Sequence, residues 1–275
     1  MLRLGYNTNG FAHHRFEDAC EILAEIGYGS IALTVERDLL DPPTSHGVDA
    51  AAKRLLPILN RHQLRVTIET GSRFILDPRR KHQPNLLSAD PTARAIRIDF
   101  LKACVELAAK IGAESVSLWS GAPDDADEGV LQKRLVAGLR ELLAYARRLS
   151  VRLSFEPEPG MFIDTMSKFE RLHDELSDSL FGLTLDVGHI HCLGDGDPAQ
   201  HIRRWREKLW NVHIEDMRRG VHEHLMFGEG DMEFESVFAA LREVGYSGPI
   251  HVELSRHSHN AVEVAGKSFD FLNNF

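Results

Sequence analysis

Apolar runs of strand length recur along the chain at residues 2–7, 30–36, 64–69, 115–119, 151–156, 181–186, 210–213 and 249–253. Between and after them lie segments 16–26, 48–61, 92–111, 129–149, 167–176, 198–208, 233–244 and 260–272, several with apolar residues three and four positions apart, the spacing of one helix face. The punctuation agrees with these limits. Asp90-Pro91 reads as an N-cap followed by proline at the first helical position, and Gly27, Gly112 and Gly245 stand where helices should stop. Strands alternating with helices predict a parallel sheet, and eight such units close into a (β/α)8 TIM barrel. No linker or low-complexity segment divides the chain, so residues 1–275 are expected to form one domain. The longest irregular stretch, 71–89, carries Arg79-Arg80-Lys81-His82 and is a candidate lid, with a solvated basic face as the plainer reading of the basic run.

Side chains alternate across a strand, which sharpens the reading. In 153–156, Leu153 and Phe155 suit the helix-facing side and leave Ser154 and Glu156 for the barrel interior. The same parity turns Thr184 and Asp186, Asn211 and His213, and His251 and Glu253 inward, and in earlier strands Glu36, Glu69 and Trp119. Barrel interiors are usually packed with branched apolar residues, so polarity at the carboxyl ends of strands marks a site.

Composition narrows the class. Hydrophobic residues at 43% and charged residues at 27% fit a globular chain, which excludes disordered and fibrous architectures. No apolar stretch reaches the roughly 18 residues of a membrane span, and the first residues lack the apolar core of a signal peptide, so the cytoplasm is the expected location. Cys20, Cys104 and Cys192 are widely spaced and suggest neither a disulfide framework nor a thiolate zinc site. A net charge of −9 argues against a nucleic-acid partner held by counterion release.

The ends of the last four predicted strands supply Glu156, Asp186, His213 and Glu253. Three carboxylates in one barrel mouth repel one another unless a cation or buried base neutralises them, and a divalent metal does so directly. Oxygen-rich ligation with one imidazole suits Mn²⁺, Mg²⁺, Fe²⁺ or Co²⁺ and admits Zn²⁺. The competing reading for each carboxylate alone is a helix cap or a surface ion pair.

Here the chain resembles the xylose-isomerase-like barrel superfamily, whose members include ketose 3-epimerases, hydroxypyruvate isomerase, inosose and 3-dehydroshikimate dehydratases, and endonuclease IV. The resemblance spans nearly the whole chain. It rests on Phe155-Glu156-Pro157-Glu158-Pro159-Gly160, Leu185-Asp186-Val187-Gly188-His189, Val212-His213-Ile214-Glu215-Asp216, Gly228-Glu229-Gly230-Asp231 and Val252-Glu253-Leu254. It implies a metal held by Glu156, Asp186, His213 and Glu253, with His189 and Arg218 contacting substrate and Arg219 an equal candidate for the arginine. It implies a small polyhydroxylated substrate and, in many relatives, a homo-oligomer.

Such a metal polarises a sugar carbonyl and acidifies the neighbouring C–H; one carboxylate, Glu156 or Glu253, removes the proton and the other returns it. Return to the opposite face is epimerisation, and return to the next carbon is isomerisation. Loss of a β-hydroxyl makes the rival dehydratase, and a sugar binder without catalysis is the second rival.

Other residues carry paired readings. Glu158, Glu69 and Asn7 are candidate substrate contacts, with a surface role for Glu158 and a backbone-satisfying turn for Asn7 as alternatives. Trp119 either stacks on a sugar face or packs in the core. His222 and His224 depart from the H-E-x-x-H spacing; they could hold a second metal, against a solvated loop. Endonuclease chemistry fits poorly, because its pattern needs histidines where Glu36 and Glu69 stand. The Gly228–Asp231 amides could hold a phosphate, against Asp231 acting as a helix N-cap.

Overall fold

The computed structural model describes residues 2–40, 44–124 and 126–275, the side chain of residue 45 excepted. Its parallel strands are β1 (Arg3–Asn7), β2 (Ser30–Thr34), β3 (Arg65–Glu69), β4 (Val116–Leu118), β5 (Leu153–Phe155), β6 (Phe181–Asp186), β7 (Leu209–Ile214) and β10 (Pro249–Val252). They hydrogen-bond in the order β1-β10-β7-β6-β5-β4-β3-β2 and close into the expected barrel. The pattern did not reveal an antiparallel hairpin, β8 (Asp216–Arg218) with β9 (Val221–Leu225), in the connection after β7.

The helices are α1 (Phe16–Ile26), α2 (Ser45–His62), α3 (Pro91–Ile111), α4 (Glu128–Leu149), α5 (Met166–Leu176), α6 (Val187–Leu193), α7 (Pro198–Trp205), α8 (Glu235–Glu243) and α9 (Ala261–Leu272). All but α6 fall on predicted segments. Asp90 accepts from the Thr92 amide with Pro91 at the first helical position, and Asp127, Thr165 and Asp197 cap α4, α5 and α7 in the same way. Gly27 and Gly112 close α1 and α3 in the left-handed region, and Gly245 takes that conformation two residues past α8.

Packing is densest within two units, Met1–Leu33 with Pro57–Thr67 and Leu183–Phe275, and Thr34–Leu56 with Ile68–Gly182. In the first, Tyr6 packs edge-on against Phe11 and Tyr28, and Tyr28 against Phe269. The opposite parity is polar, with Ser30, Thr184, Asn211 and His251 all completely buried. Gly5 is required there, because a Cβ on it would stand 2.3 Å from His251 Cδ2. In the second unit Phe155, Phe169 and Phe181 form the apolar face, while the Ser115 and Ser154 hydroxyls meet at 2.9 Å.

One expectation changes. β2 stops at Thr34, and the chain then turns, with Leu39 and Leu40 amides donating to the Glu36 carbonyl; Glu36 lies on an exposed turn rather than inside a strand. In the 71–89 stretch Asn85, Leu86 and Leu87 are buried, and the buried Arg97 guanidinium donates to the Pro84 and His82 carbonyls. Asp77 accepts from the Arg79 and Arg80 amides and pairs with the Arg80 side chain, which leaves the basic run as an exposed face.

Candidate metal centre

Asp186 is the last residue of β6 and the N-cap of α6, its Oδ1 accepting from the His189 amide at 2.8 Å. The short helix begins there because the aspartate satisfies the first-turn donor. It carries His189 back over the strand end, with Nε2 3.4 Å from Asp186 Oδ2. His213, near the end of β7, is level with Asp186 on one side and with His251 of β10 on the other. Its Nδ1 lies 2.9 Å from Oε2 of Glu253, the residue following β10. Three of the four predicted ligands therefore converge in the first unit. Glu156, in the second, is buried directly after β5, its amide donating to the Leu118 carbonyl at 2.9 Å.

Asn9, which the sequence did not single out, donates from Nδ2 to Glu253 Oε1 at 2.8 Å. Asn7 accepts from the Asn9 amide as the cap of a short 3-10 turn, as its turn reading expects. Burial opposes the Glu253 charge, but the His213 and His224 imidazoles and the Asn9 amide outweigh it and hold the carboxyl well below the usual range. Asp186 is also held down against burial, by His189, His224 and His213. Burial pushes His189 down to about 4, so near neutrality it is a neutral hydrogen-bonding group rather than a cation.

The β8–β9 hairpin folds its histidines onto this cluster. Ligand-capable atoms of His189, His222 and His224 lie within 4.8 Å of one another, and the same holds for Asp186, Glu215 and His224. His222 Nε2 is 3.1 Å from His189 Nε2. Burial alone would lower His224, yet Glu215, Glu253 and Asp186 raise it to about 10. Glu215 itself is pushed well up by burial and then by the Asp186 charge. It has no room to spare: a Cβ on Gly188 would sit 2.0 Å from its Oε1.

Both Glu215 oxygens and Asp186 Oδ2 are buried without a hydrogen-bond partner. A buried carboxylate oxygen left unpaired is costly, whereas oxygen and imidazole donors at this spacing suit a divalent cation. The residues fit such an ion.

The remaining predictions resolve individually. Glu158 lies in the loop after β5, half-buried, its amide donating to the Ile163 carbonyl. Glu69 ends β3 and is buried. Trp119, half-buried, meets His82 edge-on at 5.1 Å and the Arg97 guanidinium at 5.5 Å; packing accounts for these contacts. Arg218 is exposed and donates to the Glu229 carbonyl at 2.8 Å, and the Arg219 amide faces Asp231.

The Gly228–Asp231 amides are already taken. The Asp216 carboxylate accepts from Gly228 at 2.9 Å, Gly230 at 3.0 Å and Met232 at 3.2 Å. An internal anion thus fills the cradle that could have held a phosphate. Nor is Asp231 a helix cap: α8 starts at Glu235 behind Phe234, and Asp231 pairs with His191.

Residues 20–275 match the family described as xylose isomerase-like TIM barrel, and the chain belongs to that family. Among sequence relatives it is similar to L-ribulose-5-phosphate 3-epimerase UlaE of Salmonella paratyphi C, 27% identical over 192 residues, 67% of this chain. The chain spans 66% of that relative's length. By fold it is similar to the 3-keto-D-glucoside 4-epimerase YcjR from E. coli, TM-score 0.80 at 15% identity, each chain covered fully at 100%. It is similar too to the IOLI protein solved with a zinc atom, TM-score 0.78 at 18% identity, covering 99% of this chain and 97% of that one. No helix among the described residues is long and apolar enough to cross a membrane.

Proposed function

We propose that this chain, acting as one catalytic domain over residues 1–275, is a divalent-metal-dependent epimerase or isomerase of a small ketose or ketose phosphate. The observation that carries the reading is the convergence of Asp186, His213 and Glu253, with Asp186 Oδ2 buried and without a hydrogen-bond partner. Glu156, the equivalent strand-end residue of β5, is the fourth ligand in this proposal. The ion is Mn²⁺, Mg²⁺, Co²⁺, Fe²⁺ or Zn²⁺. His222 and His224, with His189, form a second cation site in the same proposal. The names of the epimerases similar to this chain favour epimerisation over isomerisation.

When bound, the cation polarises the substrate carbonyl and offsets the negative charge that builds as the neighbouring proton leaves. The chain supplies the rest. Glu253, ionised and oriented by the Asn9 amide, takes the proton from one face of the carbon. Glu156 returns a proton from the opposite face, which inverts the centre. Neutral His189 donates a hydrogen bond to the oxygen where charge develops, and Arg218 or Arg219 and Glu158 orient the outer hydroxyls.

The test is product analysis of Mn²⁺-loaded protein with a panel of ketoses, ketose phosphates, inososes and dehydroshikimate. The reading expects an epimeric ketose without loss of water. A product that has lost water and absorbs in the ultraviolet would make the chain a dehydratase instead.

A further inference from the structure

A buried hydrogen-bonded chain leads away from His213 toward the amino-terminal ends of the strands. His213 Nε2 lies 3.1 Å from Asn211 Nδ2, and Asn211 Oδ1 lies 2.7 Å from His251 Nδ1. His251 Nε2 lies 2.9 Å from Ser30 Oγ, which in turn stands 3.2 Å from the Arg65 carbonyl. Ser30, Asn211, His213 and His251 are each at most 1% exposed. The space for His251 exists only because residue 5 is glycine. The proposed proton transfer uses neither Asn211 nor His251.

The chain has a direction. A neutral imidazole offers one donor and one acceptor, and a primary amide has one end of each kind. In one sense, Ser30 turns its proton from the Arg65 carbonyl to His251 Nε2, His251 Nδ1–H donates to Asn211 Oδ1, and Asn211 Nδ2–H donates to His213 Nε2. His213 is then left with its proton on Nδ1, where it donates to Glu253 Oε2 at 2.9 Å. In that arrangement Nδ1 has no lone pair to offer a cation.

The reverse arrangement satisfies every inner link of the chain as well. With the Asn211 amide rotated, His213 donates from Nε2 to Oδ1 and Asn211 Nδ2 donates to His251 Nδ1. His251 then donates from Nε2 to Ser30 Oγ, and Ser30 donates to the Arg65 carbonyl. Only the His213 Nδ1–Glu253 Oε2 hydrogen bond is given up, which leaves two lone pairs facing one another at 2.9 Å where a cation can stand, and no net charge moves.

We infer that Asn211 and His251 are positioning residues, forming a reversible hydrogen-bond relay that sets which nitrogen of His213 carries the proton and thereby readies Nδ1 for a divalent cation. The inference rests on His213 being a metal ligand, as proposed above. The outer partner of a metal-bound histidine fixes its tautomer and raises its basicity, and loss of such a partner typically costs about 10–100-fold in metal affinity.

The experiment combines Zn²⁺ calorimetry with ¹⁵N-imidazole NMR on the full chain and on Asn211→Leu, Asn211→Asp and Ser30→Ala. In metal-free wild type His213 should be the Nδ1–H tautomer, and saturating Zn²⁺ should move its proton to Nε2 and shift the His251 signals with it. Asn211→Leu should lose about 10–100-fold in Zn²⁺ affinity and show mixed His213 tautomers without metal. Asn211→Asp, of nearly the same size but accepting at both oxygens, should hold the proton on Nε2 and bind Zn²⁺ at least as well as wild type. A structural role alone would weaken both variants alike. Ser30→Ala should disturb the His251 signals while leaving the fold intact.

The inference is overturned if wild-type His213 holds one tautomer with and without Zn²⁺, or if Asn211→Leu and Asn211→Asp shift affinity equally. If wild type takes up no Zn²⁺, Mn²⁺ or Co²⁺, the metal reading itself fails. The metal-free tautomers of wild type and Asn211→Leu still decide whether Asn211 controls the ring.

Discussion

His213 Nδ1 stands 2.9 Å from Glu253 Oε2, and the other Glu253 oxygen is taken by Asn9, so this carboxylate is fixed at both ends. When His213 Nδ1 serves a cation, the Asn9 amide still holds the carboxylate in place to accept a proton. Replacing it with the neutral isostere, Glu253→Gln, should lower kcat by about 10²–10⁴-fold, the usual contribution of a positioned acid or base, with far-ultraviolet circular dichroism unchanged. Asn9→Leu, which frees one oxygen but keeps the charge, should cost less. Equal losses for the two variants would remove the assignment of Glu253 as the base.

Asp216 holds the loop before α8 by accepting three part-buried hydrogen bonds from the Gly228, Gly230 and Met232 amides. Hydrogen bonds to charged groups contribute about 1.5–3 kcal/mol each. Asp216→Ala should therefore destabilise by about 3 kcal/mol or more, read from the midpoint of urea unfolding. Added sulfate or phosphate should recover part of the loss in the variant and do little for wild type. No recovery would mean that the emptied cradle is not an anion site.

Gly188 and Glu215 compete for one space. Gly188→Ala puts a Cβ 2.0 Å from Glu215 Oε1 and 2.9 Å from Met217 Cε. Overpacking of this kind costs about 1–3 kcal/mol. In a double-mutant cycle with Glu215→Ala the penalties should be less than additive, because the second change vacates the contested volume. Strict additivity would contradict the contact.

Acid should weaken the fold through histidines held neutral. His82, its ring nitrogen 3.2 Å from the Ser72 carbonyl, is pushed down to about 4, chiefly by burial and then by Lys81. Its pKa in the unfolded chain is near 6.5, so between pH 6.5 and 4 the unfolded state binds more protons than the folded one. The contribution is present above that window and is lost as pH falls through it. His82→Asn tolerates the local φ of +61° and should flatten the fall in Tm across the window relative to wild type. Parallel Tm curves for the two proteins would show that His82 does not titrate this way.

The barrel was legible because its strands obey alternation and its helices carry conventional caps; Asp90-Pro91 and Gly112 mark α3 without reference to any neighbour. Strand-end parity likewise pointed to Asp186, His213 and Glu253. Residues whose role depends on a distant partner were not legible. Glu215 shares the parity of His213, but its significance depends on Gly188 and His224; Asn9 matters because of a residue 244 positions away. Asp216 reads as one more acid until the loop curls its amides onto it. α6 was hidden because Asp186 serves as both strand end and cap, a dual use that periodicity cannot separate. Glu36 was misplaced because the alternation in 31–36 continues past the point where the backbone turns.

The most direct test of the central claim is isotope exchange. Mn²⁺-loaded protein is incubated in D₂O with ketoses and ketose phosphates, L-ribulose 5-phosphate among them, and deuterium at the carbon beside the carbonyl is followed by NMR. The account predicts uptake by wild type that is abolished by chelation and lowered at least about 10²-fold in both Glu156→Gln and Glu253→Gln. Uptake that persists undiminished in either variant, or after complete removal of the metal, would contradict it.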